Sequence, residues 1–158
     1  MSIKIEGSEN ISNVFSIFHD GDIVNGHQKN SSLLIEVEIQ YLAERINPPF
    51  RKFMLRLDNV RNLHFSTWPS DWKSEPKVLR DAKTIFKSEL GILEGNYEED
   101  QIKVACDQHL PEFDYCGGEL HFSATSVEVT DEAGKGYSIE ELGALCKDYW
   151  DEWANNKS

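Results

Sequence analysis

Three groups of residues have the types and spacing that chemistry requires. The run Phe18-His19-Asp20-Gly21-Asp22-Ile23 sets an imidazole beside two carboxylates, with a glycine between them. Such a set could grip a metal or pass a proton. A catalytic zinc takes three protein ligands, commonly several histidines. Here His27 is the one further imidazole close by, and the chain has no helical H-x-x-x-H pair. A calcium loop is approached by residues 20–26, but the spacing is off by one and Ser31 stands where the bidentate glutamate belongs. An acid–base pair would also need a nucleophile or an oxyanion site in range, and no G-x-S-x-G occurs. The competing reading is geometric. Aspartate side chains and a glycine build a turn, and the imidazole bonds nearby backbone. The residues favour that turn. A small metal-dependent hydrolase using His19, Asp20 and Asp22 stands as the alternative.

Cys106 with His109, and Cys116 with His121, make the second group. Nearness along a chain is not the geometry of a nucleophile and its base, and neither pair has a recognisable supporting context. Gly134-Lys135-Gly136 lacks the rest of a phosphate-binding loop and reads as a turn. The three cysteines, Cys106, Cys116 and Cys146, form no C-x-x-C pair and read as reduced, buried small hydrophobes. No catalytic residue, metal ligand or cofactor is therefore expected.

The third group is charged and aromatic. The chain carries a net charge of −12, distributed as −5 over residues 1–44, +6 over 45–87, −4 over 88–106 and −9 over 107–158. A field of that sign disfavours nucleic acid and anionic membranes and favours a basic protein partner. Trp68 and Trp72 flank a loop with Asp71. They could anchor a partner or cover a sheet edge. Asp148, Asp151 and Glu152 crowd the unfavourable end of the last helix, which suggests a use outside the fold. The N-terminal residues have no apolar segment of a secretion signal, and no apolar run is long enough to span a bilayer, so a cytoplasmic protein is expected.

These residues must be positioned by elements that periodicity predicts. Ile11, Val14, Phe15 and Phe18 mark a helix over 10–18, broken at residues 19–22 with Gly21 free for positive φ. Ile23-Val24 is a short strand stopped by Asn25-Gly26. Alternation predicts a strand over 33–42, returned by 52–60 as an antiparallel hairpin that sets Glu36 and Glu38 towards Lys52 and Arg56. A third strand covers 62–68. A helix begins at Pro76, with Val78, Leu79, Ala82, Ile85 and Phe86 inward and Lys77, Arg80, Lys83 and Lys87 outward, ending near Gly91. Residues 92–106 form a hairpin around Asn96–Asp100. Residues 119–130 form a long strand whose apolar parity switches near Thr125–Ser126, the mark of a bulge. Ser138 and Glu141 make a capping box, with Tyr137 and Leu142 placed as a staple. The helix they open carries an apolar stripe of Ile139, Leu142, Leu145, Cys146, Tyr149, Trp150 and Trp153. Strands without long crossovers imply an antiparallel sheet. The whole reads as a single α+β domain over residues 1–158, mainly antiparallel sheet, with two or three helices on one face and a C-terminal amphipathic helix.

The stretch Phe18-His19-Asp20-Gly21-Asp22-Ile23, followed by the hairpin Leu33–Leu42 and Lys52–Val60, resembles a group of small bacterial proteins classed as immunity proteins of polymorphic toxin systems. The resemblance covers the first 70 or so residues. It implies a non-enzymatic inhibitor that neutralises a cognate toxin, and it assigns no catalytic residue. The expected contact residues are Trp68, Asp71, Trp72, Asp148, Asp151 and Glu152, with Phe18, His19, Asp20 and Asp22 structural. An accessory domain with a partner unrelated to toxins fits the same features.

Overall fold

The structure, a computed structural model, describes residues 3–156. Its strands are β1 (Ile5–Glu6), β2 (Asp22–Lys29), β3 (Ser32–Glu38), β4 (Lys52–Asp58), β5 (Arg61–Pro69), β6 (Val78–Leu79), β7 (Leu90–Glu98), β8 (Gln101–Asp107), β9 (Tyr115–Ser123), β10 (Ser126–Thr130) and β11 (Gly136–Tyr137). The helices are α1 (Ser8–Ile17), α2 (Gln40–Ile46), α3 (Ala82–Ile85) and α4 (Ile139–Asn156). Every strand pairing is antiparallel.

Two pairs of strands are really two long bent ones. β4 and β5 are separated only by Asn59-Val60, and β9 and β10 only by Ala124-Thr125. They run along each other, Asp58 opposite Ser126 and Arg61 opposite Ser123. Both bend at the same level, where Asn59 takes φ 52. The hydrogen-bond ladder β4–β3–β2–β7–β8–β9 therefore returns on itself, and the sheet closes like a barrel around its apolar face. That interior holds Phe53, Leu55, Phe65, Val104, Leu120, Phe122 and Val127, all fully buried. Ile11, Val14, Phe15 and Phe18 of α1 add to it, with Phe15 edge-on to Phe122 at 5.9 Å and Phe18 against Phe53 at 5.1 Å.

Several expectations need correction. β2 runs straight through Asn25-Gly26, and the chain reverses instead at Asn30-Ser31, where Asn30 takes φ 56. Gly26 is required because the Phe86 ring lies 2.6 Å from where a Cβ would stand. The strand at 33–42 ends at Glu38. Ile39, Leu42, Ala43 and Ile46 then take the spacing of a helix, α2, with Leu42 and Ala43 buried. The helix expected from Pro76 is one turn, α3, preceded by β6, with extended backbone at Asp81 between them. The helices on one face fit only roughly: there are four, and α4 packs on α1 and α2, whereas α3 packs on β2 and β5.

Other expectations hold. β3 and β4 pair antiparallel, although the connection is the helix α2 and not a turn, the β7–β8 hairpin forms, and the parity switch marks the break between β9 and β10. The capping box closes both ways: Ser138 Oγ accepts from the Glu141 amide at 3.1 Å, and Glu141 Oε1 accepts from the Ser138 amide at 3.0 Å. Leu142 is the one fully buried residue of the α4 stripe. Trp150 is half-buried, and Trp153 is 44% exposed. The cysteines are all free as expected, but their expected burial needs correction: only Cys106 is buried, while Cys116 is exposed on β9 and Cys146 is half-buried on α4. No described helix is long and apolar enough to cross a membrane.

Candidate functional site

The stretch from Phe18 to Ile23 is the seam of the barrel. β2 and β7 share only two residue pairs, Asp22 with Gly91 and Ile23 with Leu90. The join is extended by the Asp20 amide donating to the Ile92 carbonyl and the Ile92 amide to the Gly21 carbonyl, each at 2.8 Å. To leave α1 and enter this seam the chain turns sharply. The positive φ falls on Asp20, at 69, not on Gly21. Gly21 is needed for closeness instead, because a Cβ there would stand 3.0 Å from the Phe18 carbonyl and 3.1 Å from Val37. Phe18 is buried, and His19 Nδ1 lies 2.9 Å from the Ser16 carbonyl. The imidazole stacks on Trp150 at 5.5 Å, and the Tyr41 hydroxyl donates to the His19 carbonyl at 2.8 Å. His19 thus faces α4, and Asp22 faces the outside of the sheet. Asp22 thus stands apart from His19, and among the described residues no group of three or more His, Cys, Asp or Glu is placed to hold a metal.

Asp22 belongs to a different grouping. Residues directly opposite one another on neighbouring strands share a face. Following that relation outward, Lys52 lies opposite Glu38, Glu38 opposite Asp22, and Asp22 opposite Gly91. Gly91 in turn lies opposite Asp107, Asp107 opposite Gly117, and Gly117 opposite Trp68. One row thus crosses seven strands on the outer face. Its floor is glycine. At Gly91 a Cβ would meet Asp107 Oδ1 at 2.1 Å and Asp22 Oδ1 at 3.3 Å, so both carboxylates lean over the bare backbone. At Gly117 a Cβ would come within 3.0 Å of the Trp68 ring.

The carboxylates of the row outnumber the cations beside them, Lys52 and His109. Lys52 at its end is bonded to Glu36, not to Glu38. Asp107 has only His109, whose Nε2 lies 3.3 Å from Oδ2. Among the described residues Asp22, Glu38 and Glu89 have no ion pair. Burial, then the charges of Glu89, Asp107 and Glu38, raise the Asp22 carboxyl above its usual value, with His109 opposing. The arrangement can receive an ammonium or guanidinium group on a floor that lets it approach closely.

At the other end of the row stand the tryptophans. Trp68 is 40% exposed and Trp72, at the loop tip, 88% exposed. Lys73 Nζ lies 5.5 Å from the centroid of the Trp72 ring. Asp71 builds the tip, its Oδ1 accepting from the amides of Lys73 at 2.8 Å and Ser74 at 2.9 Å. Lys77 ties the hairpin to the β8–β9 loop through Asp114 at 2.6 Å. Between the two loops lies a hollow of about 390 Å³ that includes Asp71, His109, Leu110, Phe113, Asp114 and Cys116 in its walls.

The other acidic residues expected at the site lie elsewhere. Glu152 pairs with Arg45 at 2.9 Å and Asp151 with Lys147 at 2.6 Å, so two of the three are already matched. Asp148 lines a hollow of about 490 Å³ with Glu44, Arg45, Pro48 and Leu145. These three sit on α4, which packs on α1 and α2, and none of them belongs to the row. The sequence reading missed Glu38, Glu89, Gly91, Asp107 and His109 as site residues. One signal was available: a glycine inside a strand often marks close approach of another group. Neither cysteine–histidine pair forms a nucleophile and base. Cys106 faces the core while His109 is turned to Asp107, and His121 stacks on His64 at 4.6 Å while Cys116 Sγ lies 3.5 Å from the Trp68 carbonyl. Set against protein-family models, curated proteins and solved structures, the chain matches none.

Proposed function

We propose that this chain is a non-enzymatic binding domain that neutralises a basic protein partner in the cytoplasm, in the manner of an immunity protein acting on its toxin. The observation that carries the reading is the row itself. Asp22, Glu38 and Asp107, with Glu89 near them, stand on a glycine floor and outnumber the neighbouring cations Lys52 and His109, and the row ends at the exposed Trp68, four residues before the exposed Trp72. Like charges set opposite one another across strands destabilise a sheet. A partner that brings cations relieves that repulsion on binding, so the cost in the free protein becomes affinity in the complex. The negative field steers a basic partner and speeds its capture. Trp68 and Trp72 supply the large apolar anchors that dominate interface energetics. In this reading Phe18, His19 and Asp20 keep the seam closed and contact no partner.

The test is affinity capture from the native host at low salt, run in parallel with wild type and an Asp22→Asn/Asp107→Asn variant. A basic protein with a toxin domain, held by wild type and depleted on the variant, supports the reading. Equal recovery on both, or recovery of acidic proteins only, contradicts it.

A further inference from the structure

The two strands that meet at the seam have free edges that are covered differently. Beyond its short join to β7, β2 continues through residues 24–29 with β3 along one side only. β7 likewise continues past Ile92 with β8 along one side only. Along the β7 edge lies α1, and the Ser16 hydroxyl meets both main-chain groups of Gly95. It donates to the carbonyl and accepts from the amide, each at 3.0 Å. A side chain thus takes the place of a neighbouring strand. Gly95 permits this closeness, since a Cβ there would stand 2.2 Å from the Ser12 carbonyl.

The β2 edge has no such cover. Among the described residues no backbone or side-chain group bonds the main chain of residues 25–29 on the side away from β3. α3 approaches through Phe86, whose ring stands where a Gly26 Cβ would be. A Cβ projects from the face of a strand and not from its edge, so the Phe86 ring lies on the face of β2. A hollow of about 380 Å³ remains there, with Asn25, His27, Gln28, Lys83 and Lys87 in its walls. Lys83 and Lys87 have no ion pair among the described residues, in a chain with 28 acidic and 16 basic side chains. Asp81, the acid nearest Lys83 in sequence, accepts from the Thr84 hydroxyl at 3.3 Å, and Glu89, the acid nearest Lys87, has no ion pair among the described residues.

We propose that the free edge of β2 receives an extended acidic segment of a partner polypeptide, which joins the sheet as a strand opposite residues 25–29. The main chain supplies the hydrogen bonds, and Lys29, Lys83 and Lys87 select acidic side chains. This surface is opposite in sign to the acidic row and independent of it.

The probe is a capped ten-residue peptide of alternating Glu and Val, added to the whole protein and followed by amide hydrogen exchange in NMR. The expected result is exchange slowed by about tenfold at every second amide between Asn25 and Lys29. A Lys83→Glu/Lys87→Glu variant, altered only at exposed positions, should bind the peptide about tenfold more weakly. The Asp22→Asn/Asp107→Asn variant should bind it as wild type does, which separates this proposal from the acidic row. Absence of binding, or binding without the alternating protection, overturns the proposal. The same protection produced by concentrating the protein alone also overturns it, since the edge then belongs to a second copy of the chain.

Discussion

Replacing Asp22 by Asn should make the folded protein more stable, although Asp22 sits in the middle of the candidate site. Asp22 stands opposite Glu38, and Glu89 and Asp107 add to the repulsion it feels. A like-charged cross-strand pair costs roughly 0.2–1 kcal/mol, and exposure to solvent keeps each such term small. With three carboxylates acting on one, the gain expected at low salt and neutral pH is about 1 kcal/mol. Asn keeps the size of Asp, so packing over Gly91 is unchanged. Urea denaturation midpoints of the two proteins measure the difference. The gain should shrink in molar salt, where the screening length falls to about 3 Å.

The pH dependence carries its own sign. Asp22 holds its proton more tightly when folded than when unfolded, first because of burial and then because of its acidic neighbours. Its contribution to stability is therefore full below the usual value of 3.8 and is lost as pH rises through the raised folded value. The advantage of the Asp22→Asn variant should appear above that window and vanish below it. A variant no more stable than wild type at neutral pH and low salt, or a gain insensitive to salt, would refute the electrostatic reasoning.

Three further outcomes are expected. His121 is held below its usual value by burial, then by the stacked His64, with Lys103 adding and Glu119 opposing. Its contribution is present above pH 6.5 and lost as pH falls through the lowered folded value, so His121→Gln should flatten the acid limb of the stability profile below 6.5 in pH-dependent denaturation. Ser16→Ala removes both bonds to Gly95 and leaves its main chain unpaired, which should cost about 1–3 kcal/mol in denaturation and speed exchange of the Gly95 amide. Trp72→Ala should alter stability by no more than about 0.5 kcal/mol, because the side chain is 88% exposed, while weakening capture of a partner.

What the sequence discloses depends on the range of the interaction. The alternation of β3 and of β4, the β7–β8 hairpin and the α4 capping box are local, and their patterns are legible. The same alternation that identifies β3 misleads past Glu38, because Ile39 and Tyr41 continue a period of two while Ile39, Leu42, Ala43 and Ile46 begin a helix. Asn25-Gly26 looks like a turn, but its glycine answers to Phe86, sixty positions away. Trp68 and Trp72 could be singled out by composition. The acidic row could not, because its members at 22, 38, 52, 68, 91, 107 and 117 meet only once the barrel has closed. The acids of α4 attracted attention by their placement along the helix, yet Arg45 and Lys147 already match two of them.

The most direct test of the central claim is the association rate of the captured partner with wild type and with the Asp22→Asn/Asp107→Asn variant, followed across ionic strength by stopped flow. If the outer face works by its negative potential, wild type associates faster at low salt, the rate falls steeply as salt is added, and the variant shows a slower rate with a shallower slope. Equal rates and equal slopes for the two proteins would contradict it.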